Sequence, residues 1–187
     1  ITDKIKKILK GVNDNISYCP ERILQGKALI ELPKLPQIIS GYNKKSIEVS
    51  KKLFNSISNK TIITSVLEAE LVKLFSNAWR YINFAASNQF FMICQNFNID
   101  FKRVRSFMMD GYERNSTLPN AGFAAGPCLL KDTMQLSHFV KKRFPLGIES
   151  LNINEGLPLH LVKTLNKNYN LKNKKIGILG LTFKSDV

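Results

Sequence analysis

The chain has 187 residues, 44% hydrophobic and 22% charged, with 28 Lys and Arg against 14 Asp and Glu and a formal net charge of +14. These proportions exclude a wholly disordered or collagen-like chain and allow one ordinary domain, or one domain with parts of its neighbours. The charge excess calls for nucleic acid, an anionic membrane surface or an anionic substrate, or else for acidic sequence lying elsewhere. Three widely spaced cysteines, Cys19, Cys94 and Cys128, do not make a secreted disulfide framework, and the expectation is a cytoplasmic protein. The longest charge-free run, Tyr81 to Ile99, contains Asn83, Ser87, Asn88, Gln89, Gln95, Asn96 and Asn98 and is too polar for a membrane span.

In chain order, residues 1–60 read as α/β. Ile5, Ile8 and Leu9 mark a short amphipathic helix stopping at Gly11, and Ile16 to Cys19 a strand running into Pro20. Gln37 to Gly41 is a second strand, followed by a helix over 44–57 with Ile47, Leu53, Phe54 and Ile57 inward. Residues 61–170 read as helical. Ser65-x-x-Glu68 is a capping box opening a helix that runs to about Asn96. Further helices are expected over 101–110, 131–142 and 154–168, with a Gly- and Pro-containing loop from Glu113 to Leu130. Residues 171–187 read as a linker and a buried strand, Ile176 to Leu179, turning at Gly180, as at the head of a further α/β unit truncated by the chain's end. No internal repeat appears.

Three constellations carry chemistry. In Gly122-x-x-x-Gly126-Pro127-Cys128-x-x-Lys131-Asp132, two glycines let backbone approach a ligand, and Cys128 lies just before the expected helix, where unpaired N–H groups and the dipole favour an anionic nucleophile. Lys131 adds positive charge, and Asp132 is suited to orienting water or accepting a proton; the bland alternative is a buried structural cysteine at a loop–helix junction. On the long helix, Glu70, Lys73, Asn77, Tyr81, Phe84 and Asn88 share one face, opposite an apolar side of Leu67, Leu71, Leu74, Phe75, Ala78, Ile82 and Ala85. Lys73 and Asn77, one turn apart, suit an oxyanion, and the alternative for Lys73 alone is a solvated face. Third, Glu21 follows the strand ending at Cys19, at the strand's carboxyl end where α/β active sites collect; a surface turn would look the same. His138 and His160 are isolated, and no metal-ligand spacing is present. The basic pairs, such as Lys44-Lys45 and Lys174-Lys175, come without a nucleic-acid motif.

Together these segments resemble the UDP-glucose/GDP-mannose dehydrogenase family of nucleotide-sugar 6-dehydrogenases over nearly the whole chain. Pro20-Glu21-Arg22-x-x-x-Gly26 is similar to its Pro-Glu signature, Lys73-x-x-x-Asn77 to its helix motif, Gly126-Pro127-Cys128-x-x-Lys131-Asp132 to its Cys loop, and Gly177-x-x-Gly180-x-x-Phe183-Lys184 to the opening of its last domain. The resemblance implies the tail of an NAD-binding Rossmann domain (1–60), a central helical domain carrying the Cys loop and a homodimer contact (61–170), and the start of a Rossmann-like nucleotide-sugar domain (171–187). It implies NAD-dependent oxidation of a sugar C6 alcohol to a carboxylate in two hydride transfers, supplying polysaccharide precursors. Cys128 would form a thiohemiacetal and then a thioester. Lys73 and Asn77 would stabilise oxyanions and contact substrate, and Asp132 with Glu21 would manage water and protons. Lys131 would lie near NAD. Thr117, Leu118, Pro119, Asn120, Ala121 and Ala125 would cradle the nucleotide sugar, with Phe183 and Lys184 also beside it. A UDP-sugar is favoured over a GDP-sugar.

Two positions depart from the family pattern: Gln25 stands where many members carry Glu, and Ala125 precedes Gly126-Pro127. No Gly-x-Gly-x-x-Gly phosphate loop occurs, so the chain alone is expected to be inactive toward NAD. The competing readings are a non-catalytic helical interaction module or degenerate paralogue and, last, a nucleic-acid binder; neither nucleic acid nor membrane is the expected partner.

Overall fold

The structure, a computed structural model, describes residues 1–24, 26–124, 126–141 and 143–180. Gln25, Ala125, Phe183 and Lys184 therefore lie outside the described residues. The chain forms two compact units, dividing between Phe75 and Ser76.

The first unit is α/β. Helix α1 (Thr2–Ile8) precedes strand β1 (Ser17–Tyr18), a single turn α2 (Ala28–Glu31), strand β2 (Gln37–Gly41), helix α3 (Lys44–Asn55) and strand β3 (Thr61–Ile63). The sheet order is β1-β2-β3, with β1 antiparallel and β3 parallel to β2. In β2 the run from Gln37 to Ser40 is buried, as befits a central strand covered on both faces. Asn43 caps α3 through a reciprocal pair with Ser46: the Ser46 N–H donates to Asn43 Oδ1 at 2.8 Å and the Asn43 N–H to Ser46 Oγ at 3.3 Å. Two expectations are corrected here. Leu53 is exposed rather than inward, and Thr61–Ile63 pairs with Gln37–Ile39 as a strand instead of opening the helical part.

Helix α4 (Val66–Asn96) begins at the expected capping box and ends at the expected residue. The Ser65 N–H donates to Glu68 Oε2 at 2.9 Å, and the Glu68 N–H reaches Ser65 Oγ at 3.3 Å.

The second unit is helical. It holds α4 from Ser76 onward, α5 (Phe101–Met109), a 3-10 turn (Glu113–Asn115), α6 (Pro127–Phe139) and α7 (Pro145–Asn168), with α6 packed on α7. Its core includes Ala78, Tyr81, Ala85, Leu129, Leu136 and Leu157. Helix α7 starts earlier than residue 154 because Pro145 is tolerated at its first turn, and Pro158 does not end it. The burial of α4 also differs from expectation. Leu67 and Phe75 are exposed, whereas Asn77, Tyr81 and Asn88 on the polar stripe are buried. Among the described residues Ile176–Leu179 form no strand, and Ile178 and Leu179 are exposed.

Candidate active site

In the first unit the Pro20-Glu21 loop meets α4. Lys73 Nζ donates to the Glu21 carbonyl at 2.6 Å and lies 3.7 Å from Glu21 Oε2. Arg22 holds the loop from behind by donating to the Pro36 carbonyl, and Glu31 Oε2 accepts the Leu24 N–H at 2.8 Å. Glu21 also accepts the Ile23 N–H with its own side chain. A lysine and a carboxylate that the sequence separates by 52 positions are thus brought together. The carboxylate is 61% exposed, so the pair is worth little as a stability element and leaves both groups reachable. Beside the loop, burial pushes the Cys19 thiol up, opposed by hydrogen bonds from Ser40 and Ser50, in keeping with an inert core cysteine.

In the second unit the Cys segment is fixed at the start of α6. Gly126 takes a positive φ of 87° at the N-cap, a conformation that glycine adopts without the Cβ penalty. Pro127 opens the helix, and Cys128 is therefore in its first turn rather than before it. The thiol is exposed. One turn on, Lys131 points to solvent, 68% exposed, with Nζ 3.3 Å from Asp132 Oδ1. Asp132 itself is 4% exposed and accepts a 2.5 Å hydrogen bond from Asn77 Nδ2. A buried carboxylate needs such a donor, because an unpaired charge in that setting is costly. Cys128, Lys131, Asp132 and Asn77 are thereby drawn to one end of α6. Thr117 and Asn120 are exposed, while Leu118, Pro119 and Ala121 are half-buried.

Further residues, none singled out by the sequence reading for this purpose, hold the loop before Cys128. Ser87 Oγ donates to the Pro119 carbonyl at 2.8 Å. Arg105 donates to the Leu118 carbonyl from Nε at 2.9 Å and Nη2 at 2.6 Å, with Nε also 3.1 Å from the Pro119 carbonyl. Asn88 Oδ1 accepts the Gly122 N–H at 2.8 Å. Asn88 in turn donates to Asn154 Oδ1 at 2.8 Å, and Asn154 donates to the Tyr81 carbonyl at 3.0 Å. The Tyr81 hydroxyl donates to Glu155 Oε1 at 2.6 Å, and burial together with that carboxylate raises its pKa. The available signal was the uncharged polar residues inside the apolar run from Tyr81 to Ile99; buried amides demand partners. Nothing local marked Arg105 or Asn154. Among the described residues no group of His, Cys, Asp and Glu is placed to hold a metal, and no helix is long and apolar enough to cross a membrane.

Residues 67–155 match the UDP-glucose/GDP-mannose dehydrogenase family, central domain. A UDP-N-acetyl-D-mannosamine dehydrogenase of Methanococcus maripaludis is 33% identical over 97% of this chain and 44% of its own length. The enzyme of the same name from Methanocaldococcus jannaschii is 29% identical over all of this chain and 44% of its own. Among solved structures, a UDP-N-acetyl-mannosamine dehydrogenase of Staphylococcus aureus superposes with a TM-score of 0.80 at 29% identity, covering 99% of this chain and 45% of that one. The chain thus spans less than half the length of the relatives it matches.

Proposed function

The chain belongs to the UDP-glucose/GDP-mannose dehydrogenase family, and from that premise we propose that it carries the covalent and oxyanion-handling groups of an NAD-dependent nucleotide-sugar 6-dehydrogenase. The observation that carries the reading is the cluster at the head of α6: an exposed thiol in the first turn and, within the next turn, a buried carboxylate fixed by Asn77. The names of the relatives favour a UDP-N-acetylhexosamine as substrate.

A four-electron oxidation in one site must retain the aldehyde between its two steps, and a covalent adduct does so. In this reading Cys128 Sγ attacks the C6 aldehyde and forms a carbon–sulfur bond, giving a thiohemiacetal. Loss of a second hydride converts it to a thioester. Water then adds, the carbon–sulfur bond breaks, and the carboxylate leaves with the thiol restored. NAD, when bound, supplies the acceptor for each hydride. The sequence given holds no Gly-x-Gly-x-x-Gly, and in this reading Lys131 is the residue of this chain that would lie near NAD.

Lys73 and Asn77 supply donors to the alkoxide and tetrahedral oxyanions. Asp132, acceptor-only while ionised, holds the Asn77 amide and orients the hydrolytic water, and Glu21 takes the released proton. Homodimerisation through the helical unit and a role in polysaccharide precursor synthesis belong to the same proposal.

Cys128→Ser in the enzyme containing this chain tests it. The expected result is loss of net uronic acid formation, where the unchanged enzyme yields two NADH per nucleotide sugar. Unchanged acid formation in the variant would remove Cys128 from the mechanism.

A further inference from the structure

We propose that Asn88, Ser87 and Arg105 are positioning residues that hold the backbone of residues 118–122 in the form that receives the nucleotide sugar, an inference that rests on the substrate-loop reading above. Asn88 is fully buried and cannot itself touch a substrate; it acts through the Gly122 N–H that it accepts at 2.8 Å. Its amide is the middle of a chain of hydrogen bonds with one polarity: the Gly122 N–H donates to Asn88, Asn88 to Asn154, and Asn154 to the Tyr81 carbonyl. Every amide in that chain is fixed in orientation, since reversing one would set two acceptors face to face.

Packing covers this loop only in part. Residues 120–123 line a cavity of about 320 Å³ whose other walls include Phe91, Phe101, Leu157 and Leu161. A loop bordered by open space has fewer contacts on that side to define its path. Hydrogen bonds from helices fill that role here. Ser87 and Arg105 occupy the carbonyls of Leu118 and Pro119, and Asn88 the N–H of Gly122.

The register of α4 extends the point. Asn77 and Asn88 are eleven residues apart, which brings them back to the same helix face within about 20° and separates them by about 16 Å along the axis. Asn88 holds Gly122 and Asn77 holds Asp132. The segment bearing Cys128 is thus tied at both ends to one face of one helix. Pre-setting the loop removes an ordering cost that substrate binding would otherwise meet.

The test uses Asn88→Ala, Arg105→Lys and Arg105→Gln in the enzyme containing this chain. KM for the nucleotide sugar should rise about tenfold in Asn88→Ala with kcat within about threefold, the pattern of lost pre-organisation in binding. Arg105→Lys, which keeps the charge and loses the fork, should be intermediate between the parent and Arg105→Gln. Deuterium uptake by residues 117–124 should accelerate in all three, read well below the unfolding temperature. A lower melting temperature with KM and uptake unchanged would overturn the proposal, leaving these residues as core members only. If Asn88→Ala does not fold, uptake in Arg105→Lys decides alone. If the parent enzyme oxidises no nucleotide sugar, the proposed function fails, and the uptake measurement still reports whether the clamp exists.

Discussion

Removing the Asn77 amide isolates the carboxylate of Asp132. In Asn77→Ala the 2.5 Å donor to Asp132 Oδ2 is lost from a site where both residues are almost fully buried. A hydrogen bond to a charged group contributes about 1.5–3 kcal/mol, and leaving the acceptor buried without a donor costs on the same order. Lys131 offers little compensation: its ammonium is 3.3 Å from Oδ1 but mostly in water, and such pairs are worth about 0–1 kcal/mol. The expected loss is therefore about 2 kcal/mol, or about thirtyfold in the folded-to-unfolded ratio. Urea unfolding of the parent, Asn77→Ala, Asp132→Ala and the double variant measures it as a cycle. The two single losses should exceed the loss in the double variant by at least about 1.5 kcal/mol, because the second substitution removes a group already stranded. Additivity within about 0.5 kcal/mol would refute the claim that Asn77 sustains Asp132, and with it the role of Asn77 in setting the carboxylate's orientation.

Two further predictions concern the helix starts. Hydrogen bonds from the Ser65 and Thr64 hydroxyls and the Ser65 N–H hold the Glu68 carboxyl down to about 2. Because its folded value lies below the ordinary one of 4.5, the contribution of this cap is present above that value and is lost as pH falls toward 2; carboxyl ¹³C shifts should show Glu68 titrating near 2, and higher in Ser65→Ala, which loses one of the three donors and keeps the Thr64 hydroxyl and the backbone N–H. In α7, a Cβ on Gly147 would sit 2.2 Å from the Phe144 ring, so Gly147→Ala should cost about 1–3 kcal/mol by overpacking, and Phe144→Leu in the same chain should recover part of it in thermal unfolding.

What was legible in the sequence is what local spacing determines. Ser65 and Glu68 announce the start of α4 because a capping box is closed within four residues, and Lys73, Asn77, Cys128, Lys131 and Asp132 sit in short motifs whose members are neighbours on a helix or its lead. The sidedness of α4 was not legible. Hydropathy puts Leu67 and Phe75 inside, but the amides of Asn77 and Asn88 are the buried ones, since Asp132, Asn154 and Gly122 are there to satisfy them. Those partners lie 34–66 positions away, beyond any periodicity. Strand β3 was missed for the same reason: Thr61–Ile63 is too short to announce itself and exists because β2 lies beside it.

The net charge of +14 looks different once individual cations are placed. Arg22 and Arg105 donate to backbone carbonyls, of Pro36 and of Leu118 and Pro119, each fastening a loop that carries candidate site residues. A carbonyl satisfies the donors of a guanidinium without cancelling its charge, so each such contact fixes a loop and leaves a full positive charge beside it. Lys131, exposed in the second turn of α6, adds a cation whose charge the neighbouring Asp132 carboxylate offsets in part. Each such cation favours an anionic ligand near its own loop. On the same arrangement lysine is expected to be an incomplete substitute at position 105: it would keep the charge and lose the second donor that sets the loop's path. Attraction and loop geometry are thus separable at a single residue. A substrate affinity that depended on the charge alone would leave Arg105→Lys indistinguishable from the parent at every salt concentration.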